Sequence, residues 1–374
     1  EASSWQSKIG TLHNGRNLLT IPQLTDRAEF TKGGSLYVTY GGTGADQIKL
    51  HVHRAGQAVS IPVLDLGNWY TLDEAGRKEV IGRYVDELDA YLTRSIPNPT
   101  TNYLNVTEIA TPSVLLSIPA LTVQSAMGSS SREEKIQTLY NSIEAWEQVT
   151  AICRTTHGID AVYEKVGVEA RQNIRYMTMF SGAFMYAAGS HIGIGYGSCG
   201  GMVTGRPVKE AVTGDYNGLF GWGIAHEIGH NMDLLGKAEI TNNIYSLMVQ
   251  TYDGKSNTLP SRLEKSGKYA AIFDKTAQGM PGASGDVFVQ LGMYWQLHLA
   301  YDGGENPLKF FNDFSKAWSK KTYFTDGSTY DEKVALTASG VAGKDLSEFF
   351  TRWGMVLSDE AKAKMPAEKE TRAI

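Results

Sequence analysis

The sequence Gly-Trp-Gly-Ile-Ala-His-Glu-Ile-Gly-His at residues 221–230 contains the pattern H-E-x-x-H. On a helix, residues at positions i and i+4 lie on the same face. His226 and His230 can therefore direct two imidazoles at a single cation. Glu227 lies beside them and can take a proton from a metal-bound water. The stretch predicts a helix that carries a catalytic zinc site.

A catalytic zinc site needs a third protein ligand and one open position for water. Glu239 follows His230 by nine residues, and Gly236 between them can end the first helix, because glycine tolerates a left-handed backbone. A second helix that starts near Lys237 would bring Glu239 back over the histidines. Asp233 is the alternative third ligand, but it lies on the same helix as His230 and would need an awkward reach. We therefore predict Glu239.

Asn243 lies four residues after Glu239, so its side chain would share the Glu239 face of the second helix. From there it could hydrogen-bond a ligand imidazole and fix its tautomer and orientation. The motif, the distance to Glu239 and the adjacent asparagines 242 and 243 resemble the enhancin and mucinase-type gluzincins, which form metallopeptidase family sixty. Their signature is H-E-x-x-H, a gap of eight or more residues, and a glutamate commonly followed closely by two asparagines.

This resemblance is best from Asn102 to the C-terminus. It implies that His226, His230 and Glu239 bind one zinc ion and that Glu227 is the general base. It also implies a substrate class, because family members cut mucins and other O-glycosylated proteins, many of them next to a glycan. The expected reaction is hydrolysis beside a glycosylated Ser or Thr.

Composition excludes other classes of function. The 374-residue chain is 42% hydrophobic and 20% charged, as in ordinary soluble globular proteins. Its net charge of −5 offers no electrostatic footprint for nucleic acid. No apolar run approaches the ~18 residues of a transmembrane helix. The chain begins at Glu1 without a signal-like segment, so we interpret it as an excised piece or mature form of a secreted or cell-surface bacterial protein. We expect a monomer whose signal and flanking modules are missing.

The expected fold class is α+β, with a small N-terminal β-sandwich followed by a mainly helical, gluzincin-like domain that contains a small mixed sheet. Residues 1–70 are assigned to the sandwich and residues 71–374 to the catalytic domain. The Pro-rich segment 96–100 allows an edge as late as residue 100. Alternating residues predict sandwich strands at 35–40, 48–53 and 59–64. Apolar periodicity predicts helices at 73–92, 131–157 and 287–299.

A glycine-rich segment at residues 190–201 has two interpretations. In gluzincins a strand beside the zinc helix binds the substrate in extended form, so by resemblance this segment is the candidate cleft strand. It could equally be a plain glycine-rich loop. His191 and Tyr196 within it are candidates for substrate or glycan binding, although a loop histidine without a special role is the simpler interpretation of His191.

Peptide hydrolysis also needs a donor for the oxyanion of the tetrahedral intermediate. Tyr245, Tyr294 and His298 are the candidates. The last two also belong to a helical apolar stripe, which a buried helix face would explain without any chemistry.

The C-terminal part offers a possible sugar clamp. Arg352 and Trp353 are adjacent, so the ring could stack on a pyranose while the guanidinium bonds its hydroxyls, and Asp302 could add an acceptor. The alternative is a C-terminal helix with Trp353 in the core.

The two cysteines, Cys153 and Cys199, could form a disulfide or be two buried thiols. Three alternatives to the glycan-dependent peptidase also stay open. They are a secreted zinc metallopeptidase without a glycan requirement, a glycan-binding module with a vestigial zinc site, and a structural surface protein with fortuitous histidines.

Overall fold

The computed structural model describes residues 8–20, 36–38, 40, 48–51, 60–93, 105–159, 171–277, 284–302, 308–372 and 374. These residues form an α+β fold around a small mixed sheet, as predicted. The strands are β1 (Val63–Asp65), β2 (Thr107–Ala110), β3 (Val114–Ile118), β4 (Gln172–Tyr176), β5 (Met185–Ala187) and β6 (Ile192–Ile194). Their order in the sheet is β1-β2-β3-β4-β6-β5.

Strand direction changes twice across the sheet. The pairs β1–β2, β3–β4 and β4–β6 are parallel, whereas β2–β3 and β5–β6 are antiparallel hairpins. Because β6 lies between β4 and β5, the last hairpin leaves β5 as an edge strand. Among the residues that the structure describes, one side of β5 therefore has no strand partner.

Fourteen α-helices are present within the described residues. They are α1 (Glu74–Thr93), α2 (Ala120–Met127), α3 (Arg132–Thr156), α4 (Tyr196–Cys199), α5 (Val208–Ala211), α6 (Trp222–Met232), α7 (Asn243–Thr251), α8 (Arg262–Lys265), α9 (Tyr269–Thr276), α10 (Val287–Tyr301), α11 (Lys309–Ser319), α12 (Tyr330–Ala342), α13 (Ser347–Arg352) and α14 (Asp359–Ala363). The predicted helices at 73–92, 131–157 and 287–299 are confirmed as α1, α3 and α10. Short 3-10 helices cover Trp69–Thr71 and Gly200–Val203.

The long helix α3 shows how local sequence sets an element. Ser131 and Glu134 form a reciprocal capping box at its start, which satisfies two backbone N–H groups that have no partner inside the helix. Its apolar face enters a continuous core shared with the sheet and with α6. Trp146 anchors this packing by donating its indole N–H to the carbonyl of Met202 at 2.8 Å.

The predicted N-terminal β-sandwich is not shown. Residues 36–38, 40 and 48–51 carry no strand, and the rest of those two predicted strands lies outside the described residues. The third predicted strand overlaps β1, which pairs with β2 of the central sheet. The division of the chain into two domains at residue 70 stays a prediction.

Two further expectations concern cysteines and membranes. Cys153 and Cys199 are free and buried, and burial raises the pKa of each thiol to about 12. The disulfide alternative is therefore wrong for this structure. Among the described residues, no helix combines the length and the apolar composition that crossing a bilayer requires.

Candidate active site

Helix α6 carries the H-E-x-x-H pattern, with the two histidines partly exposed and the residues between them buried. Gly221 precedes the helix with φ 77°, a left-handed conformation that favours glycine. Trp222, His226 and His230 recur every four residues and form an accessible stripe. The opposite face enters the core through residues including Ile224, Ala225 and Ile228. Packing of that face therefore turns both histidines outward.

The turn after α6 is held by Asp233. Its carboxylate accepts hydrogen bonds from the backbone N–H groups of Leu235 and Gly236, both at 2.9 Å, and from the hydroxyl of Thr241 at 2.5 Å. Gly236 adopts the expected left-handed conformation, with φ 71°. Both Asp233 oxygen atoms thus accept hydrogen bonds in the turn, and the carboxylate that converges with the two histidines is that of Glu239.

Glu239 lies in this turn and not on a helix. The second helix, α7, begins at Asn243, later than the start near Lys237 that the sequence suggested. The physical reason is the backbone of Glu239, whose φ of 66° is incompatible with a right-handed helix. The side-chain amide of Asn243 donates to the carbonyl of Glu239 at 2.8 Å and holds this conformation.

The structure brings His226, His230 and Glu239 together. The two histidine Nε2 atoms are 3.1 Å apart. The Glu239 carboxylate lies 3.5 Å from Nε2 of His226 and 3.2 Å from Nε2 of His230. All three ligand atoms fall within 4.8 Å of one another, so the group could hold one metal ion. The histidines are half-buried and Glu239 is exposed, which leaves one side of the group open.

The turn also orients the first histidine. Nδ1–H of His226 donates to the side-chain oxygen of Asn243 at 2.7 Å, which leaves the lone pair on Nε2. Asn242 adds a contact from its amide nitrogen to the His226 carbonyl at 3.4 Å. A Cβ at Gly229 would lie 2.2 Å from the carbonyl oxygen of Asn242. Only glycine therefore lets the turn lie this close to α6.

Glu227 is buried beside the three converging side chains. Burial raises the pKa of its carboxyl, and the nearby Glu239 adds to this, while His226 lowers it. Burial also lowers the pKa of His230, and the neighbouring His226 lowers it further. A neutral imidazole and a carboxylate with a raised pKa are suited to metal binding and to proton transfer near neutral pH.

The three predicted oxyanion donors are buried. The Tyr245 hydroxyl donates to the carbonyl of Met232 at 3.0 Å. Tyr294 lies in the core on α10. His298, on the same helix, stacks on Trp295 with ring centroids 4.6 Å apart. None of them offers a donor to a substrate in this conformation.

The side chains of the predicted sugar clamp already have partners within the protein. The Trp353 ring is buried and its N–H donates to Gln296 at 3.1 Å, so it offers no open face to a pyranose. Arg352 donates to Glu348 at 2.7 Å, and to a backbone carbonyl. The buried Asp302 carboxylate lies 2.7 Å from Nδ1 of His298. The alternative of a core Trp353 is the one that the structure contains.

The glycine-rich segment 190–201 forms β6, α4 and a 3-10 turn, and β6 is an inner strand without a free edge. The prediction that this segment provides the cleft strand is wrong for that reason. His191 is buried and contacts the Tyr186 hydroxyl at 3.1 Å. Tyr196 is exposed at the start of α4.

Sequence reasoning missed β5, the edge strand next to α6. A Cβ at Gly223 in the first turn of α6 would lie 3.4 Å from the sulfur of Met185, so strand and helix are in close contact. Sequence reasoning also missed Trp222 on the accessible stripe. Its spacing of four residues before His226 was the available signal.

Residues 101–354, more than half of the chain, match peptidase M60, enhancin and enhancin-like. The chain belongs to this family. Its fold is similar to the ZmpB metallopeptidase from Clostridium perfringens, with a TM-score of 0.59, 23% identity, and coverage of 84% of this chain and 57% of that one. The ZmpA catalytic module of the same organism has a TM-score of 0.60 and 21% identity, with coverage of 84% of this chain and 56% of that one. The M60 catalytic domain of ZmpC from Clostridium perfringens, in complex with the sialyl T antigen, has a TM-score of 0.58 and 22% identity. The match covers 84% of this chain and 57% of that one.

These structural likenesses, below 25% identity, show the fold alone. The chain spans 57% or less of the length of each of these three chains. The comparison with curated proteins found no match.

Proposed function

We propose that this protein is a zinc-dependent endopeptidase that cuts mucins and other O-glycosylated proteins next to glycosylated Ser or Thr. The observation that carries the proposal is the convergence of His226, His230 and Glu239, whose ligand atoms lie within 4.8 Å of one another. Two imidazole nitrogens and one carboxylate oxygen are a common donor set of catalytic zinc, and three protein ligands leave one position open. The donor set therefore fits the ion that the family implies.

The chain's own residues supply the remaining chemistry. When bound, zinc acidifies a water molecule and polarises the scissile carbonyl. Glu227 accepts a proton from the attacking water and delivers it to the amine that leaves as the C–N bond breaks. Asn243 holds His226 in the tautomer that exposes its Nε2 lone pair.

The edge of β5 offers a place for the peptide. Backbone hydrogen bonds join residue 188 to 191 and residue 195 to 184, so the alternation of an antiparallel pair turns the N–H and C=O groups of Met185 and Ala187 away from β6. An extended substrate can pair with these groups as an added strand. Such pairing binds main chain and places few demands on peptide sequence.

The requirement for a glycan is supported by family membership and by the ZmpC catalytic domain, which was solved in complex with the sialyl T antigen. O-glycosylated proteins are found outside cells, which is consistent with a secreted or cell-surface enzyme. We propose that it acts as a monomer, since each chain contains a complete set of ligands.

The test is a mass-spectrometric digest of a mucin-type glycoprotein, with and without prior treatment by sialidase and O-glycanase, and with Glu227→Ala as the control. We expect cuts only beside glycosylated Ser or Thr, and none with the variant. Cuts that ignore the sugars would replace the proposal with a general metallopeptidase. No cuts by zinc-loaded protein would favour a glycan-binding module, and failure to bind zinc would leave a structural protein with fortuitous histidines.

A further inference from the structure

Arg262 begins α8 and holds its guanidinium over two aromatic rings. Its Cζ lies 4.8 Å from the ring centroid of Trp222 and 4.7 Å from that of Phe288. The two rings are themselves packed at 6.1 Å with an interplanar angle of 58°. Cation–π attraction to both rings restricts the guanidinium to a defined position. Trp222 is partly exposed here, in contrast to the buried Trp353.

This cluster of Arg262, Trp222 and Phe288 adjoins the proposed zinc site. Trp222 is the first residue of the accessible stripe of α6, one helical turn before His226. The neighbouring Gly223 faces Met185 on the edge strand β5. The first turn of α6 thus contacts the edge strand through Gly223 and the Arg262 cluster through Trp222.

The guanidinium has unused hydrogen-bonding capacity. Arg262 is exposed, and among the residues that the structure describes no carboxylate lies within ion-pair distance of it and no acceptor takes its side-chain N–H groups. A guanidinium carries five donors in a planar fork that matches a carboxylate. Stacking on ring faces leaves the edges of that fork available. Within the described part of the chain, the site is therefore an oriented cation without an anionic partner, and the net charge of the chain is −5.

We propose that Arg262, oriented by Trp222 and Phe288, is a specificity-determining residue that binds a carboxylate of the substrate. The inference rests on the proposed peptidase function and adds an anionic subsite to it. Two sources could present that group near the scissile bond, namely a sialic acid on the O-glycan or an acidic side chain of the peptide. Both would bind through the same two-pronged contact.

The test measures binding, so that it does not depend on turnover. Three glycopeptides of one sequence are titrated by calorimetry into zinc-loaded Glu227→Ala protein. One carries a neutral O-linked disaccharide, the second carries the same glycan with a terminal sialic acid, and the third carries the neutral glycan with one flanking Asn replaced by Asp. We expect one of the acidic probes to bind about tenfold more tightly than the neutral one, because hydrogen bonds to charged groups are the stronger kind. This preference should shrink as salt is raised.

The chain offers a matched control one helical turn away. Lys265 lies on the same helix, over the Tyr216 ring at 3.8 Å, and its ammonium donates to the carbonyl of Asp215 at 3.0 Å. In the Glu227→Ala background, Arg262→Gln should bring the ratio of acidic to neutral affinity close to one. Lys265→Gln removes the same charge and should keep most of the preference. Arg262→Lys should give an intermediate ratio, since it retains charge and loses the fork.

Tighter binding of the sialylated probe alone would assign the subsite to sialic acid, and tighter binding of the Asp probe alone would assign it to the peptide. Equal binding of all three probes would overturn the inference, and so would equal losses in Arg262→Gln and Lys265→Gln. The peptidase proposal is judged separately by whether the protein with Glu227 intact hydrolyses the neutral glycopeptide. Hydrolysis without an acidic preference would contradict only the subsite, and the preference without hydrolysis of any probe would contradict only the peptidase.

Discussion

Two histidine–carboxylate pairs in this molecule have the same chemistry and opposite environments. On the accessible stripe, His230 lies 3.2 Å from Glu239, and the side chains are 24% and 59% exposed. On α10, His298 lies 2.7 Å from Asp302, and the side chains are 4% and 0% exposed. The first pair is open to solvent and shares its space with another imidazole. The second is sealed, and the comparison shows that residue type alone does not identify a site.

The pairs also differ in whether their bonding capacity is used. In the sealed pair, Asp302 also accepts from the backbone N–H of Phe310, and His298 stacks on Trp295. Beside the open pair, the Nε2 lone pair of His226 points at the His230 imidazole and at the Glu239 carboxylate, because its Nδ1 proton is bound by Asn243. Lone pairs facing one another are unfavourable without a cation or a proton between them. Only the open pair is therefore prepared for an ion.

The largest effect should follow from breaking the open pair. His230→Ala removes one of the three proposed ligands, so we expect loss of stoichiometric zinc in mass-spectrometric metal analysis. Zinc affinity should fall by more than the about 10–100-fold loss that follows when a hydrogen-bond partner of a metal ligand is removed. Circular dichroism should show a folded protein, because His230 lies on the accessible stripe. Retention of full zinc would contradict the proposed ligand set.

Breaking the sealed pair should affect folding and leave metal binding alone. His298→Ala leaves the buried Asp302 without its partner and should lower the free energy of unfolding by about 3 kcal/mol, as measured by urea denaturation. Zinc content of the folded variant should equal that of the unaltered protein. A folded His298→Ala protein without zinc would show that the two regions are not independent.

A smaller effect should follow from removing the contact that orients His226 beside the open pair. Asn243→Ala deletes the acceptor of the His226 Nδ1 proton, and we expect zinc affinity to fall by about 10–100-fold in competition with a chelator. Asn243→Asp keeps an acceptor oxygen at that place and is the control. If Asp and Ala variants bind zinc equally, the hydrogen bond does not orient the ligand.

The smallest effect concerns the pH dependence of the sealed pair. Burial raises the pKa of the Asp302 carboxyl above its ordinary value of 3.8, although the hydrogen bond to His298 opposes this. The folded protein therefore binds this proton more tightly than the unfolded chain does. The resulting stabilisation is fully present below pH 3.8 and is lost as pH rises through the folded pKa.

Asp302→Asn cannot titrate at this position. Its free energy of unfolding should fall less steeply with rising pH than that of the unaltered protein, in denaturation series that start at about pH 3.5 and proceed upward. Parallel curves for the two proteins would contradict the shift in the Asp302 pKa.

The open site could be predicted from sequence because its geometry is mostly local. Helix periodicity places His226 and His230 on one face, and Glu239 lies close enough along the chain for a single turn to return it. The left-handed backbone of Glu239 was not predictable, since it depends on the contacts that Asp233 and Asn243 make in that turn.

What could not be predicted depends on contacts between distant parts of the chain. Strand β5 has only three residues, and its place at the sheet edge follows from pairing with β6. Periodicity grouped Tyr294 and His298 on one stripe of α10 but did not decide between a core and a cleft. The same uncertainty applied to Trp353, whose partner Gln296 is far away in sequence. The proposed role of Arg262 could not be predicted from the neighbouring sequence, because it depends on stacking against two aromatic rings from other helices.

The central claim is that His226 and the open pair together form a metal site with Glu227 as its general base. The most direct measurement is zinc content and peptide-bond hydrolysis in the same sample of Glu227→Gln protein, beside the unaltered protein. We predict equal zinc in both proteins and a rate about 10²–10⁴-fold lower in the variant, since the proposed role of Glu227 is to transfer protons and not to bind the metal. Full activity in a folded, zinc-loaded variant would contradict that role for Glu227.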